Sequence, residues 1–158
     1  MVALHPHILY YSGRESLTIS RKDLWRESVA IFKNPKFKET ARPKVTFEGE
    51  AGIDGGGLGK EFGTLLREKI FSSEANLFEG IDGRKLPIYS MEGIYSRMFQ
   101  LVGKMMSYLI IHLDIPFPCF SPPVYEYIVS GSFEVASHHC CPDDICDYQV
   151  KELIGQVN

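Results

Sequence analysis

A glycine-rich segment at residues 45–62 constrains the fold of this chain more than any other feature. An apparent strand at 44–48 runs into a loop with five glycines, and an amphipathic helical pattern begins directly after the loop. Glycines permit positive φ and close backbone approach, and a carboxylate just before a helix can cap its first N–H groups. The segment therefore predicts a strand joined to a helix through a tight loop, with Asp54 as the cap.

Two phosphate-binding interpretations of this loop fail on spacing. A Walker-type loop ending at Lys60 would need glycine at 54 and a hydroxyl residue at 61, where Asp54 and Glu61 stand. A dinucleotide fingerprint fails because Lys60 occupies the place of its third glycine. The two carboxylates would also repel an anion at the loop, so the sequence predicts no nucleotide or other cofactor.

The segment resembles the large N-terminal lobe of the HECT ubiquitin ligases, whose pattern is approximately Phe-x-Gly-Glu-x-Gly-x-Asp-x-Gly-Gly-x-x-(Arg/Lys)-Glu-Phe. The likeness continues in order at 17–24, 76–79, 99–112 and 116–125, and Gly55 departs from it where many members carry a bulky residue. The residues in register are Phe47, Gly49, Glu50, Gly52, Asp54, Gly56, Gly57, Lys60, Glu61 and Phe62.

The resemblance implies a mostly helical α+β domain over residues 1–158, truncated before or near the subdomain that docks the conjugating enzyme. Short strands near 44–48 and a hairpin at 77–89 would accompany the helices. Within it the carboxylates would cap and would pair with arginines such as Arg21 or Arg42. The structural motif residues are Glu50, Asp54, Gly56, Gly57 and Glu61.

The resemblance also implies a function, namely the scaffold portion of a ligase that transfers ubiquitin through a cysteine thioester. The partners would be a ubiquitin-conjugating enzyme and ubiquitin, both bound through the complete HECT domain. The family's catalytic motif places threonine immediately before its cysteine, and none of Cys119, Cys140, Cys141 and Cys146 has that neighbour. The chain alone is therefore expected to be inactive, with no catalytic residue. The alternative is a non-catalytic HECT-like interaction module.

A third hypothesis is a zinc-stabilised domain built on the segment 138–146. Its candidate ligands are His138, Cys140, Cys141 and Cys146. Zinc ligands usually come in spaced pairs, and adjacent Cys-Cys residues rarely point at one ion. The spacing favours a cluster of reduced thiols over a metal site.

Composition and charge indicate how many domains the chain forms and which other classes of protein it does not resemble. With 158 residues and 44% hydrophobic content the chain can bury one sizeable core, and one domain is expected. The net charge is −3 without a basic stripe, so nucleic acid is not an expected partner. The N-terminus lacks a secretory pattern, which indicates an intracellular protein of the cytoplasm or nucleus. The apolar run at 93–113 is interrupted by Arg97 and Lys104, which favours a buried helix over a membrane span.

Capping and periodicity place the other helices. Ser20 predicts a helix at about 21–33 that stops before Pro35. Further helices are expected at 93–113, from Pro122 to about 130, and from about 143 to the end. The last helix carries its apolar stripe on one side, and we expect an exposed patch there to drive dimerisation. The stripe comprises Cys146, Val150, Leu153, Ile154 and Val157.

Overall fold

The computed structural model describes residues 13–50 and 56–157. The fold is α+β and mostly helical, as the sequence predicts, with short strands in two two-stranded sheets. The elements divide into two compact units. Unit 1 comprises residues 1–70 and 97–116, and unit 2 comprises residues 71–96 and 117–158.

Unit 1 is built on a parallel pair of strands. Each strand shows the alternation of a half-buried strand, with Leu17 and Val45 facing inward as register partners. The predicted strand at 44–48 is confirmed and begins two residues earlier. The elements of unit 1 are β1 (Arg14–Ile19), α1 (Leu24–Lys33), β2 (Arg42–Phe47), α2 (Gly57–Ile70) and α4 (Met98–Leu113).

Three helices close the core of unit 1. The predicted amphipathic face of α2 is confirmed, since Phe62, Leu66 and Ile70 are fully buried. At Gly63 a Cβ atom would lie 2.7 Å from Ile115 Cγ1, so the helix needs glycine there for close packing. Tyr108 donates a hydrogen bond to the carbonyl of Ala41 at 2.9 Å, and burial raises the pKa of this phenol.

The first helix begins later than the sequence predicts. We expected Ser20 to cap a helix from about 21, whereas α1 starts at Leu24 and Asp23 occupies the N-cap position. The backbone N–H of Ser20 instead donates to Glu27 Oε2 at 2.7 Å, which satisfies that donor without a helical turn. The predicted end before Pro35 is confirmed, because α1 stops at Lys33.

The predicted helix at 93–113 is two helices, which corrects the sequence interpretation. α3 covers Met91–Tyr95 in unit 2, and α4 begins at Met98 in unit 1. Arg97 between them adopts the left-handed conformation at φ 56°, which interrupts the helical path. Ile94 and Ile110 are about half exposed, so they do not belong to a buried stripe. Along residues 13–50 and 56–157, every helix falls short of the length and apolar content required to cross a membrane.

Unit 2 contains the predicted hairpin. Its two short antiparallel strands flank a turn in which Gly80 and Gly83 adopt positive φ. The start of α5 after Ser121 and its end at Gly131 agree with the sequence, while α6 was not predicted. The elements are β3 (Phe78–Glu79), β4 (Leu86–Pro87), α3, α5 (Pro122–Ser130), α6 (Phe133–Ser137) and α7 (Tyr148–Val157).

The last helix also differs from its prediction. Asp143 and Asp144 belong to a 3-10 turn at Pro142–Asp144, and α7 begins only at Tyr148. The reason is local, since the carboxylate of Asp144 accepts the N–H of Cys141 at 3.0 Å and closes a separate turn. The apolar stripe on α7 is exposed, with Leu153 at 61%.

Candidate functional site

The glycine-rich segment places its described motif residues around the start of α2. Gly49 turns the chain after β2 at φ 77°, and Glu50 follows it. Gly56, at φ 104°, precedes the helix, and its carbonyl accepts the N–H of Lys60 at 3.3 Å. Gly57 is the first residue of α2. Asp54, which we predicted to cap the helix, lies outside the described residues.

Arg21 is the centre of a cluster that we call the arginine clamp, formed by Arg21, Phe47, Glu50 and Glu61. Its Nε and Nη2 donate to the two carboxylate oxygens of Glu50 at 2.5 and 3.1 Å, in a bidentate arrangement. Its Nη1 donates to Glu61 Oε1 at 2.7 Å. The guanidinium carbon also lies 3.8 Å from the centroid of the Phe47 ring.

The arginine clamp joins three parts of unit 1 that are distant in sequence. Arg21 precedes α1, Phe47 ends β2 and Glu61 lies in α2. The hydrogen bonds from Arg21 lower the pKa of the Glu50 carboxyl. The hydrogen bonds to Glu50 and Glu61 in turn raise the pKa of Arg21. A carboxylate held in this ionised state is a poor general acid. Through these hydrogen bonds Arg21 links the segment before α1 to Glu50 after β2 and to Glu61 in α2.

A second arginine-centred cluster lies in unit 2. Arg84 donates to Asp144 Oδ1 from Nη2 and Nε at 2.8 and 3.1 Å, and to Cys141 Sγ at 2.8 Å. The Asp144 side chain is only 9% exposed, so the pair ties the hairpin to the 3-10 turn in a partly desolvated setting. The sequence analysis missed this pair, because Arg84 and Asp144 are 60 residues apart and no spacing pattern connects them.

The candidate zinc ligands do not converge on one point. His138, Cys140 and Cys146 are exposed, whereas Cys141 is half-buried and accepts from Arg84. The part of the chain that the structure describes holds no group of three or more His, Cys, Asp or Glu side chains arranged to bind a metal ion.

None of the four cysteines forms a disulfide bond in the structure. Partial burial of the sulfur raises the pKa of Cys146, and the nearby carboxylates of Glu79 and Asp144 raise it further. A thiol with a raised pKa carries less thiolate, which is the nucleophilic form. This environment does not activate Cys146 for acyl transfer.

Unit 2 also presents an apolar groove between α5, α6 and the second hairpin strand. Its volume is about 320 Å³, and Tyr127 and Phe133 are among the residues that line it. Phe133 is 79% exposed although it is the first residue of α6. An exposed aromatic beside an apolar groove is typical of a surface that contacts another polypeptide.

Comparisons with known proteins point in one direction. No protein-family model matches the chain. The probable E3 ubiquitin-protein ligase HECTD2 of Mus musculus is 37% identical over 115 residues, which cover 70% of this chain and 14% of that protein. The E3 ubiquitin-protein ligase pub1 of Schizosaccharomyces pombe is 29% identical over 133 residues, covering 80% of this chain and 17% of its own length. Smurf1 of Drosophila melanogaster, also an E3 ubiquitin-protein ligase, is 26% identical over 125 residues, 75% of this chain and 12% of that protein. The chain thus matches only a small part of these relatives.

Proposed function

This chain is a homologue of the HECT-type E3 ubiquitin ligases, and we propose that it forms the scaffold portion of such a ligase. The observation that carries the proposal is the 37% identity to HECTD2 across 70% of the chain. In this proposal the parent protein receives ubiquitin from a conjugating enzyme and passes it to a substrate amine. The setting is intracellular, in the cytoplasm or nucleus.

The chemistry of the proposal is acyl transfer. The thiolate of a ligase cysteine attacks the thioester carbonyl at the ubiquitin C-terminus, and the cysteine of the conjugating enzyme leaves as thiolate. A substrate amine then attacks the new thioester, and the ligase cysteine leaves in turn. We assign the attacking cysteine to a part of the parent protein outside these 158 residues.

Two features of the chain favour a scaffold role in this transfer. The motif carboxylates Glu50 and Glu61 are engaged by Arg21, so they hold β2 and α2 in place. Among the thiols, Cys141 lies against Arg84 and Asp144 in a structural cluster, and Cys146 has a raised pKa. These residues maintain geometry, which is what a platform for other subdomains requires.

The test uses the parent protein incubated with activating enzyme, charged conjugating enzyme and ubiquitin, resolved with and without reductant. We expect a reductant-sensitive ubiquitin adduct on the parent, and none on the 158-residue chain under the same conditions. Serine in place of all four cysteines of this chain should leave the parent adduct intact. An adduct that maps to Cys119, Cys140, Cys141 or Cys146 would contradict the scaffold role.

A second candidate function is a non-catalytic interaction module, and the apolar groove of unit 2 favours it. Tyr127 and Phe133 offer exposed aromatic surface of the kind that anchors protein partners. This candidate predicts that the parent forms no thioester with any conjugating enzyme. The adduct experiment therefore separates the two functions.

A further inference from the structure

The apolar groove of unit 2 combines buried and exposed side chains. Pro123 of α5 and Ala136 of α6 are buried at its base, whereas the rings of Tyr127 and Phe133 are more than half exposed. Ser137 also lines the groove, and its hydroxyl donates to the carbonyl of Glu134 at 2.7 Å. The groove therefore offers apolar contact area and little capacity to bind a polar ligand.

The hairpin strand at the edge of the groove is not open to a further strand. β4 pairs with β3 on one side, and its Pro87 has no N–H to donate. On the other side, the N–H of Lys85 donates to the carbonyl of Cys119 at 2.8 Å, and the carbonyl of Lys85 accepts the N–H of Ser121 at 3.1 Å. A partner must therefore bind through side chains, as an amphipathic helix does when its apolar face lies in a groove.

The two helices of the groove carry carboxylates and no basic side chain. From residue 105 to residue 150 the sequence contains no lysine or arginine. Glu126 precedes Tyr127 on α5, and Glu134 follows Phe133 on α6. The three Lys and Arg side chains of unit 2 are already held by aspartates at 2.8 to 3.8 Å. These ion pairs are Arg84 with Asp144, Lys85 with Asp82 and Lys151 with Asp143. Positive charge for Glu126 and Glu134 must therefore come from a partner.

Charge separates two kinds of occupant for the groove. Unit 2 carries three Lys and Arg against ten Asp and Glu, a net charge of −7. A second copy of unit 2 would bring like charges together, which opposes a tight contact. A basic partner is attracted instead, and complementary charge also speeds the encounter.

We propose that the apolar groove binds an amphipathic helix of a partner protein, with apolar side chains in the groove and lysine or arginine beside it. Tyr127 and Phe133 are the anchors, because aromatic side chains are enriched at interfaces and a few residues carry most of the binding energy. Glu126 and Glu134 pair with the basic flank of the helix. This inference rests on the interaction role described above as the second candidate function, and it names the partner of that role.

Fluorescence anisotropy of a labelled helical peptide of leucine and lysine, titrated with the 158-residue chain, tests the proposal. We expect saturable binding that weakens as salt is added. A peptide in which glutamate replaces every lysine should bind far more weakly, because its charge is no longer complementary. A peptide in which serine replaces every leucine should also bind far more weakly, because it has no apolar face.

A pair of aromatic variants locates the binding site. Phe133→Ala should weaken binding by about 30-fold, which corresponds to the ~2 kcal/mol of an interface anchor. Tyr148→Ala removes a ring of similar exposure on α7, outside the groove, and should leave the affinity unchanged. Circular dichroism checks that both variants are folded.

A pair of charge variants tests the acidic flank. Glu126→Gln/Glu134→Gln should weaken binding at low salt by about fivefold per charge, which corresponds to the ~1 kcal/mol upper range of an exposed ion pair. Glu48→Gln/Glu68→Gln removes the same charge from exposed positions of unit 1 and should leave the affinity unchanged.

Absence of saturable binding, or equal losses in Phe133→Ala and Tyr148→Ala, would overturn the proposal. The same titration of the parent protein should retain binding; loss of binding there would show that the parent's own residues cover the groove. A dimer in light scattering that Phe133→Ala abolishes would make a second copy the occupant and would also overturn the proposal. Peptide binding requires no ubiquitin, so its failure is distinct from a failure to form the thioester.

Discussion

The two units differ in what they do with their apolar side chains. In unit 1, α2 and α4 bury Phe62, Leu66 and Met105 completely. In unit 2, large apolar side chains stay exposed on four helices, among them Tyr125, Phe133 and Leu153. Among the described residues, Ile110 and Ile111 are the strongly exposed large apolar residues of unit 1. The contrast indicates a self-sufficient core in unit 1 and a contact surface in unit 2.

The units also differ in charge. Counted over the whole sequence, unit 1 carries fourteen Lys and Arg against ten Asp and Glu, whereas unit 2 carries three against ten. The overall charge of −3 hides this division. The net charge is therefore positive in unit 1 and negative in unit 2, which favours different electrostatic environments around the two units.

The largest expected effect separates the cores of the two units. Phe62→Ala removes a fully buried ring from unit 1 and should lower the free energy of unfolding by about 3–5 kcal/mol. Phe133→Ala removes a ring that is 79% exposed and should change it by less than about 0.5 kcal/mol. Urea denaturation followed by the fluorescence of Trp25, which reports on unit 1, measures the first variant, and circular dichroism measures both. Similar losses in the two variants would refute the comparison.

The buried ion pair of unit 2 should be the next largest effect. Asp144→Asn leaves the Arg84 guanidinium without its charged partner and should cost about 2 kcal/mol, because hydrogen bonds to charged groups are worth about 1.5–3 kcal/mol. The neighbouring variant Asp143→Asn breaks an exposed pair with Lys151 and should cost much less, because solvent screens that pair. Hydrogen exchange at the hairpin amides reports on both. Equal exchange rates in the two variants would show that Arg84 does not support unit 2.

Two helical glycines give a test of opposite signs within unit 1. Gly63→Ala places a methyl group 2.7 Å from Ile115 Cγ1 and should destabilise by about 1 kcal/mol, after the gain in helix propensity is subtracted. Gly103→Ala in α4 meets no atom within 4 Å and should stabilise by about 1 kcal/mol. The midpoint temperatures of thermal unfolding of the two variants should therefore shift in opposite directions. A gain in both would mean that α2 is packed less closely than the structure indicates.

Acid should weaken the arginine clamp. Arg21 lowers the pKa of Glu50 in the folded chain, so the stabilisation is complete above the unfolded value of about 4.3 and is lost as the pH falls through the folded pKa. Urea unfolding followed by Trp25 fluorescence measures this stability as a function of pH. Below about pH 4.3 the stability of Glu50→Gln should depend less on pH than that of the unaltered chain, while Glu48→Gln should behave like the unaltered chain. A steep acid dependence that survives in Glu50→Gln would assign it to other carboxylates.

The smallest expected effect is self-association through unit 2. The exposed stripe on α7 should give a weak, concentration-dependent rise in mass by light scattering, and Leu153→Glu should reduce it. Gln100→Glu, which adds the same single negative charge at an exposed position of unit 1, should not. A strictly monomeric chain at all concentrations would contradict this expectation.

The sequence predicted those elements whose signals are local. Ser121 before Pro122, the turn at Gly83 and the apolar period of α2 each lie within a few residues of what they determine. The break at Arg97 was missed because no proline or glycine marks it; its left-handed backbone interrupts an otherwise continuous apolar run. The family resemblance named Arg21 as a partner for the motif carboxylates, and the structure adds its geometry.

The parts of the candidate sites that escaped prediction depend on contacts across long stretches of chain. Arg84 and Asp144 are brought together by the path of unit 2, and their separation in sequence leaves no periodic trace. The pairing of Arg14 with Arg42 depends on the parallel register of β1 and β2, and charge counted along the sequence could not show it.

Unit 1 is formed from two stretches of chain separated by part of unit 2, so it cannot fold completely until the second stretch has left the ribosome. Its core needs Met105 and Leu109 of α4, yet residues 71–96 of unit 2 are made first. At roughly 5–20 residues per second, β1 to α2 wait about 2–10 seconds for the stretch from 71 to 116 to follow them out. During that interval the inner faces of Phe32, Phe62 and Leu66 are open to water. The nascent chain therefore presents a chaperone-binding surface that the finished protein conceals.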